Sequence, residues 1–438
     1  MTVSLLKFDG FLDSLRKAIE MCGGFDRLKS DDRVLIKPNN CFRHRITPPF
    51  GMVTTSKIID GIIRLLLEYG CKDISIGEGA IIDLFDDLKP YTKKGFKGTG
   101  IDKVAKKHNI KLIDFNEGPF VDMDLEGEKV QVSKAALDAG FLINVPVLKT
   151  HFQTRISMGF KNLKGCLSKT SKKKFHNTNK LDLLICLLNE SIKSDLVIID
   201  GIYMLEKGPE TLVGKAHRKD IVIAGTDVFS CDTVGARVLG IDPSQVGYLR
   251  EFAKRNNRSF DMSSIAIKGE DIGTCEESLK WQFEPDKELL GPANISGLKS
   301  PAPGQTLCCG CAATLALALS IFGKDNPNMD FGDARLYYGK ELKAQNDAKN
   351  VFLYGNCGIK TNKSLENAVR IEGCPPTLTA TLIVLMRELL SKPRALKMLL
   401  IRAVKLVGIR LGIYSETFPG WDRYKVKEFD KAHFWLKN

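Results

Sequence analysis

The chain of 438 residues has no apolar run long enough to cross a bilayer: its most apolar late stretch, Leu396 to Ile413, is broken by Lys397, Arg402, Lys405 and Arg410. It opens on Met-Thr-Val-Ser-Leu-Leu-Lys-Phe-Asp-Gly, which lacks the cationic region, apolar core and small-residue cleavage site of a secretory signal, so a cytoplasmic location is expected. No Walker P-loop, Gly-x-Ser-x-Gly elbow or His-Glu-x-x-His helix occurs, which removes the commonest nucleotide-hydrolase, esterase and zinc-protease readings. Aromatic residues are scarce inside the main basic stretch, leaving little for bases to stack on, and nucleic acid is not an expected partner. The twelve cysteines are scattered apart from one late cluster, a distribution that suits reduced thiols plus one metal site better than a disulfide framework.

What is present reads as an α/β protein. With 43% hydrophobic and 27% charged residues the chain has an ordinary globular balance, and its length leaves room for more than one domain. From Arg33 onward, short apolar runs alternate with helical patterns, as in a mainly parallel sheet flanked by helices. Strands are predicted at Arg33–Lys37, Asp73–Gly77, Lys111–Asp114, Phe141–Val145, Leu196–Asp200 and Asp220–Ala224. Between the first two, Thr54-Thr55-Ser56 starts a capped helix that carries Ile58, Ile59, Ile62, Leu65, Leu66 and Leu67 and closes at Gly70. Gly95-Phe-Lys-Gly-Thr-Gly100 neither follows a strand nor carries Rossmann spacing, and reads as a flexible surface loop.

Polar residues gather just after the predicted strand ends: Lys37 with Asn39 and Asn40, Glu78, Asn144 with Lys149 and His151, Asp200, and Asp227. That edge of an open parallel sheet is where ligands bind. An Asp after a strand is more often a turn or capping residue, so the recurrence carries the argument and no single position does. From Lys149 to Lys180 there are nine Lys or Arg, two His and no acid, a local positive field suited to an anionic small molecule. Lys149, His151, Lys161, Asn162 and Lys164 are interleaved with apolar residues that should hold them in place, whereas Lys172-Lys173-Lys174 reads as a solvated run. His151 and His176 can each transfer a proton near neutral pH, or can be structural histidines. In the functional reading Lys149, Lys161 and Lys164 hold negative charge, with Lys37, Asn39, Asn144, Asn162 and His176 lining the same pocket. His151 donates or accepts the proton, and Glu78 and Asp200 orient these groups.

Five cysteines fall between Leu307 and Pro376: Cys308, Cys309, Cys311, Cys357 and Cys374. Two thiols at Cys-x-x-Cys spacing and two later ones beside glycine can converge on one soft metal centre, since glycine lets the backbone approach sulfur. Iron with sulfide leads. Zinc is the alternative, although structural zinc more often uses two short Cys-x-x-Cys knuckles and only one is present.

At Lys37-Pro-Asn39, Gly77-Glu78-Gly79, Asn144-Val-Pro-Val-Leu-Lys-Thr-His151, Lys161-Asn-Leu-Lys-Gly165 and Ile199-Asp-Gly201 through Gly208-Pro209, the chain resembles the bacterial and archaeal family catalogued as domain of unknown function 362, over roughly residues 30–255. That resemblance implies an appended iron–sulfur module and an oxidoreductase or electron-transfer role; the compact ferredoxin pattern usual there is absent. Gly373-Cys-Pro-Pro376 instead resembles the cluster-binding segment of nickel–iron hydrogenase small subunits and the related subunit of NADH:quinone oxidoreductase. It implies a 4Fe-4S cluster with Cys374 as a ligand, Cys357 and Cys311 as partners, and Cys308 completing the set, with Cys309 as the alternative to Cys308.

The expected organisation is a family α/β domain over 1–290 with the basic strand-end pocket, a Pro/Gly-rich linker at 291–304, a smaller α/β cluster-binding domain at 305–392, and a basic amphipathic tail at 393–438. Ser391 to the C-terminus carries eleven Lys or Arg against four acids, and its Leu396, Leu399, Leu400, Ala403 and Val407 could dock on an anionic membrane surface or pack back on the protein. The expected function is an iron–sulfur oxidoreductase passing electrons between the cluster, a redox partner protein and an anionic substrate. A non-catalytic electron carrier or metallocentre assembly factor, and a non-redox cluster-dependent enzyme, stand as alternatives.

Overall fold

Val34 to Ile36, Phe141 to Val145 and Leu196 to Ile199 are buried along their whole length, and strands with no solvent face need helices on both sides. The computed structural model supplies them. It describes residues 1–40, 49–80, 92–209, 211, 213–302, 305–345, 348–410 and 429, apart from the side chains of 176, 177, 286 and 403–410. The described residues fall into two units, one from Met1 to Trp281 with Phe429, the other from Gln282 to Arg410.

In the first unit the strands are β1 (Thr2–Lys7), β2 (Arg33–Pro38), β3 (Asp73–Glu78), β4 (Lys111–Asp114), β5 (Phe120–Leu125), β6 (Glu128–Ser133), β7 (Phe141–Val145), β8 (Val147–His151), β9 (Arg155–Ile156), β10 (Leu196–Gly208), β11 (Lys215–Gly225) and β12 (Ala266–Gly269). The main sheet runs β12-β1-β11-β10-β7-β2-β3-β4, with β8 against β10 and β9 against β8, while β5 and β6 form a separate hairpin. From β10 to β4 all neighbours are parallel. The α/β class is therefore as expected, and all six predicted strands are present.

β11 departs from the parallel expectation, because β10 continues beyond Asp200 to Gly208 and pairs antiparallel with β11. That extension, Gly-Ile-Tyr-Met-Leu-Glu-Lys-Gly, has no apolar–polar alternation to announce it. The helix Ser56–Tyr69 is capped by Thr55, whose side chain accepts from the Ile58 N–H, and ends on Gly70 at φ 101°. Gly95 to Thr99, expected as a loop, belongs to the helix Thr92–Thr99, because Phe96 is buried and the Thr99 hydroxyl bonds back to Gly95 O at 2.9 Å.

The second unit is a parallel sheet β13-β14-β15-β16, formed by Ser296–Lys299, Asp330–Tyr338, Asn350–Tyr354 and Val369–Ile371, with the helices Cys309–Asp325 and Leu378–Leu389. Residues 291–304 differ from the expected linker: β13 lies inside them and pairs with β14, anchored by buried Leu298. The helix Leu378–Leu389 is capped by Thr377, whose side chain accepts from the Ala380 N–H at 3.1 Å. The tail begins as the helix Lys392–Arg410; one side packs within the unit through Arg402 Nε on Asp325 Oδ2 at 2.6 Å, while Leu396, Leu399 and Leu400 face outward. The side chains of Ala403 and Val407, and residues 411–428 and 430–438, lie outside the described residues.

Because Thr55 closes the first turn of the helix that covers the sheet, Thr55→Ala should cost about 1 kcal/mol. Urea unfolding of the first unit checks this as a lower midpoint with an unchanged slope.

Candidate functional site

The C-terminal ends of β2, β3 and β7 do bring their polar residues together, but into a sealed framework. The Lys37 ammonium lies 3.0 and 2.9 Å from the two Glu78 carboxylate oxygens, 2.9 Å from Pro38 O and 3.2 Å from Asn162 Oδ1. Both Glu78 oxygens also accept backbone N–H groups, from Gly79 at 2.8 Å and Asn40 at 2.9 Å. The ammonium and the carboxylate are thus saturated, which is the condition for burying such a pair; Lys37 is 1% exposed and Glu78 3%.

Asn162 donates to Lys37 O at 3.2 Å and to Asn144 Oδ1 at 2.8 Å, and Asn144 in turn donates to Gly159 O at 2.9 Å. Lys149 donates to Asn39 Oδ1 at 2.9 Å and to Met52 O at 2.8 Å. Gly165 closes the framework, since a methyl at that position would overlap Glu78 Oε1 and Lys37 Nζ. The Lys161-Asn-Leu-Lys-Gly165 motif thereby acquires a physical meaning: its glycine is a lid on the ion pair.

This corrects the expected open pocket. Lys37, Asn144, Lys149, His151 and Asp200 are almost wholly buried, so they shape the loops instead of presenting charge to solvent. His151 Nδ1 accepts from Gln153 N at 3.0 Å, which fixes the ring. Asp200 accepts from Thr55 N at 2.7 Å and Ile202 N at 3.1 Å, and burial pushes its carboxyl up to about 6. Asp227 is a helix cap paired with Arg258 at 2.7 Å. Lys161 and Lys164 keep partial exposure, with Lys164 Nζ 6.0 Å from the Phe175 ring centre. His176 falls in the helix Lys169–Asn177, but its side chain lies outside the described part.

Two residues, Lys172 and Asp232, went unrecognised in the sequence. Lys172, read as part of a solvated run, points inward to Gly79 O at 2.7 Å and Asn116 Oδ1 at 3.1 Å, and burial pulls its ammonium down to about 8. Its signal was helical spacing, since Ser168, Ser171, Lys172 and Phe175 share one face. Asp232 is fully buried and accepts from Gly159 N at 2.7 Å and Phe160 N at 3.0 Å, and burial pushes it up to about 7. Asn40 is also buried, with neither side-chain atom of its amide partnered.

In the second unit, the cap and first turn of the helix Cys309–Asp325, the short helix Gly355–Thr361 after β15, and the turn after β16 carry the thiols. The Cys311 thiol donates to Cys308 sulfur, which pulls Cys308 down to about 6 and pushes Cys311 up. The charges of Cys308, Cys374 and Cys357 all act on Cys311, so the four sulfurs share one locality. Cys309 is the first residue of the helix, and Cys308 is the one of the adjacent pair that faces Cys311.

Two details hold this arrangement. Gly355, at φ 76°, lets the chain pass where a Cβ would stand 3.3 Å from Cys311 Sγ. Asn356 ties the two later segments by donating its N–H to Gly373 O at 2.9 Å while its side-chain oxygen accepts from Gly373 N at 2.9 Å. Tyr354, 1% exposed, has its hydroxyl beside Thr381 and is also acted on by Cys311 and Cys308. Cys308, Cys311 and Cys357 are partly exposed and Cys374 is exposed, whereas Cys22, Cys71, Cys166, Cys186, Cys231 and Cys275 are buried. Among the described residues, no three His, Cys, Asp or Glu side chains stand close enough together to hold a single metal ion as they are. No helix among those residues is long and apolar enough to cross a membrane.

Residues 34–237 match the family described as Domain of unknown function (DUF362). That span contains the whole Lys37–Glu78 framework and ends before the cysteine-bearing unit. The thylakoid-associated protein sll1697 of Synechocystis sp. (strain ATCC 27184 / PCC 6803 / Kazusa) is 28% identical over 256 residues, 56% of this chain and 76% of that protein. Among solved structures, the lactate racemase apoprotein from Thermoanaerobacterium thermosaccharolyticum is similar at 12% identity and a TM-score of 0.37, covering 89% of this chain and 81% of that one, a likeness too loose to bear on function.

Breaking the buried pair should be costly. Lys37→Met leaves the Glu78 carboxylate buried without its cation and should destabilise the first unit by about 3–5 kcal/mol, measured by denaturant unfolding. Asp232 gives a pH test. Its folded value near 7 lies above the ordinary 3.8, so its contribution to stability is full below pH 3.8 and is lost as pH rises through about 7. The stability of the wild type relative to Asp232→Asn should therefore fall between pH 4 and 8, and a constant difference would contradict the assignment.

Proposed function

We propose that the chain is an iron–sulfur electron-transfer protein whose second unit binds a 4Fe-4S cluster through Cys308, Cys311, Cys357 and Cys374, and that it acts as an oxidoreductase on an anionic substrate. The observation that carries this reading is the gathering of four thiols from three separate segments in one partly exposed locality. The donor set fits the group: four thiolates suit iron and sulfide, and Gly355 and Asn356 fix the backbone of the segments that carry them. When bound, the cluster supplies single-electron transfer.

The chain's own part is ligation, orientation and hydrogen bonding. Tyr354 offers a buried hydroxyl donor beside Cys311 and Cys308, of the kind that sets a cluster's potential. Lys340 acts on the charge of both Cys308 and Cys357, and Lys360 on that of Cys357, so the surface around the thiols is cationic and suits an acidic redox partner protein. In the first unit Lys161 and Lys164, which keep partial exposure, are the direct candidates for an anion. Lys37, Lys149, Asn39, Asn144 and Asn162 keep the strand-end loops in shape. A proton exchanged at His151 would be the one on Nε2, because Nδ1 accepts from Gln153 N.

The internal saturation of Lys37 and Glu78 favours, as a second reading, a non-catalytic electron carrier; it predicts reversible reduction and a stable partner, with no turnover of a small molecule.

Protein purified without oxygen should contain iron and acid-labile sulfide in equal amounts. Cys357→Ser and Cys374→Ser should each lose most of both, and Asn356→Ala should lower occupancy while leaving the unfolding of the first unit unchanged. Iron content untouched by all three substitutions would remove these residues from the site.

A further inference from the structure

The framework residues are sealed, yet the same sheet edge opens one element away. β1 and β10 run in the same direction, and a cleft of about 480 Å3 lies where β1 ends and β10 passes Asp200; it is lined by Lys7, Phe8, Phe11, Lys57, Ile202 and Arg218, among others. Its shape comes from a bulge. Gly201 pairs with Ile221 but Tyr203 pairs with Arg218, so two residues of β11, Lys219 and Asp220, stand against the single Ile202. Asp220 takes up the excess at φ 51°, a left-handed conformation that Asp tolerates. Gly201 is required there, since a Cβ would meet Ile221 Cγ1 at 2.7 Å. Such bulges re-aim side chains, and this one turns the Arg218–Asp220 corner into the cleft.

The charge inside is unbalanced. Arg218 is paired with Asp220 at 2.7 Å and Lys219 with Glu277 at 3.4 Å. The Asp9 side chain is bonded to Gly10 N at 2.8 Å and Ser14 Oγ at 2.9 Å. Lys7 and Lys57 have no carboxylate in ion-pair range among the described residues, and Lys57 Nζ sits 5.2 Å from the Phe11 ring centre. Burial disfavours the Lys57 charge more than the nearby Asp220 supports it, and Arg218 adds to the cost, so an anion placed between these groups would relieve it.

We propose that this cleft binds a small organic anion, with a carboxylate or phosphate between Lys7 and Lys57 and an apolar body against Phe8, Phe11 and Ile202. The site stands on the cleft alone and does not depend on the cysteine site or on any redox activity. Substrate, inhibitor and effector anions share this chemistry, and binding is the property to be tested.

The full chain is titrated calorimetrically at low salt with phenyl phosphate, benzoate and inorganic phosphate. Saturable one-to-one binding of phenyl phosphate or benzoate is expected, tighter than that of inorganic phosphate and weakened by added salt. The Lys7→Gln/Lys57→Gln double variant, whose altered side chains line the open cleft, should bind at least ~10-fold more weakly with an unchanged unfolding midpoint. A bulky probe of the bulge gives a second variant: Ile202→Trp should block binding without altering charge. Absence of saturable binding to both organic anions, or affinity unchanged in both variants, would overturn the proposal; neither result would bear on iron and sulfide content.

Discussion

A lysine and a glutamate that share a dry interior hold the first unit's functional edge in place. Lys37 leaves β2 and Glu78 leaves β3, so their contact pins two adjacent strand ends. Neither charge could remain buried unpaired, and the groups that complete them come from the loops themselves: Asn40, Gly79, Asn162 and Gly165. The chain around the edge is therefore shaped to satisfy the pair. Asn162 and Asn144 relay that order to β7, and Lys149 relays it to the segment around Met52.

The second unit solves a different problem. Its thiols lie near the surface, and what holds them is backbone geometry: a left-handed glycine beside Cys311 and a single asparagine that clamps the segments carrying Cys357 and Cys374. Partial exposure suits one-electron exchange with a partner, just as full burial suits the inert thiols of the first unit, where burial pushes Cys22 up to about 11. Exposure thus divides the cysteines of the two units.

Strands with two buried faces were legible as uninterrupted apolar runs, and the helix Ser56–Tyr69 was legible because its cap and its closing glycine are both local signals. Extended hairpin β10–β11 was not, since its β10 part lacks an alternating pattern and its register depends on a bulge that only pairing reveals. The polar residues of the strand ends were found, but whether they face solvent or each other depends on partners far apart in sequence. Asn162 reaches Lys37 across 125 positions, and no local pattern encodes that. Lys172 was hidden by its two lysine neighbours, although its helical phase placed it with Phe175. Among the cysteines, the reading that put Cys308 first and Cys309 as its alternative rested on local sequence, which does not show that Cys308 takes the capping position and Cys309 starts the helix.

The central claim is that four thiols in the second unit hold a redox-active cluster, and a potentiometric titration followed by electron paramagnetic resonance on anaerobically purified full-length protein tests it most directly. The account predicts a reversible one-electron signal of iron–sulfur type that shifts in potential in Tyr354→Phe. Protein that binds zinc alone at full occupancy and shows no such signal at any potential would contradict it.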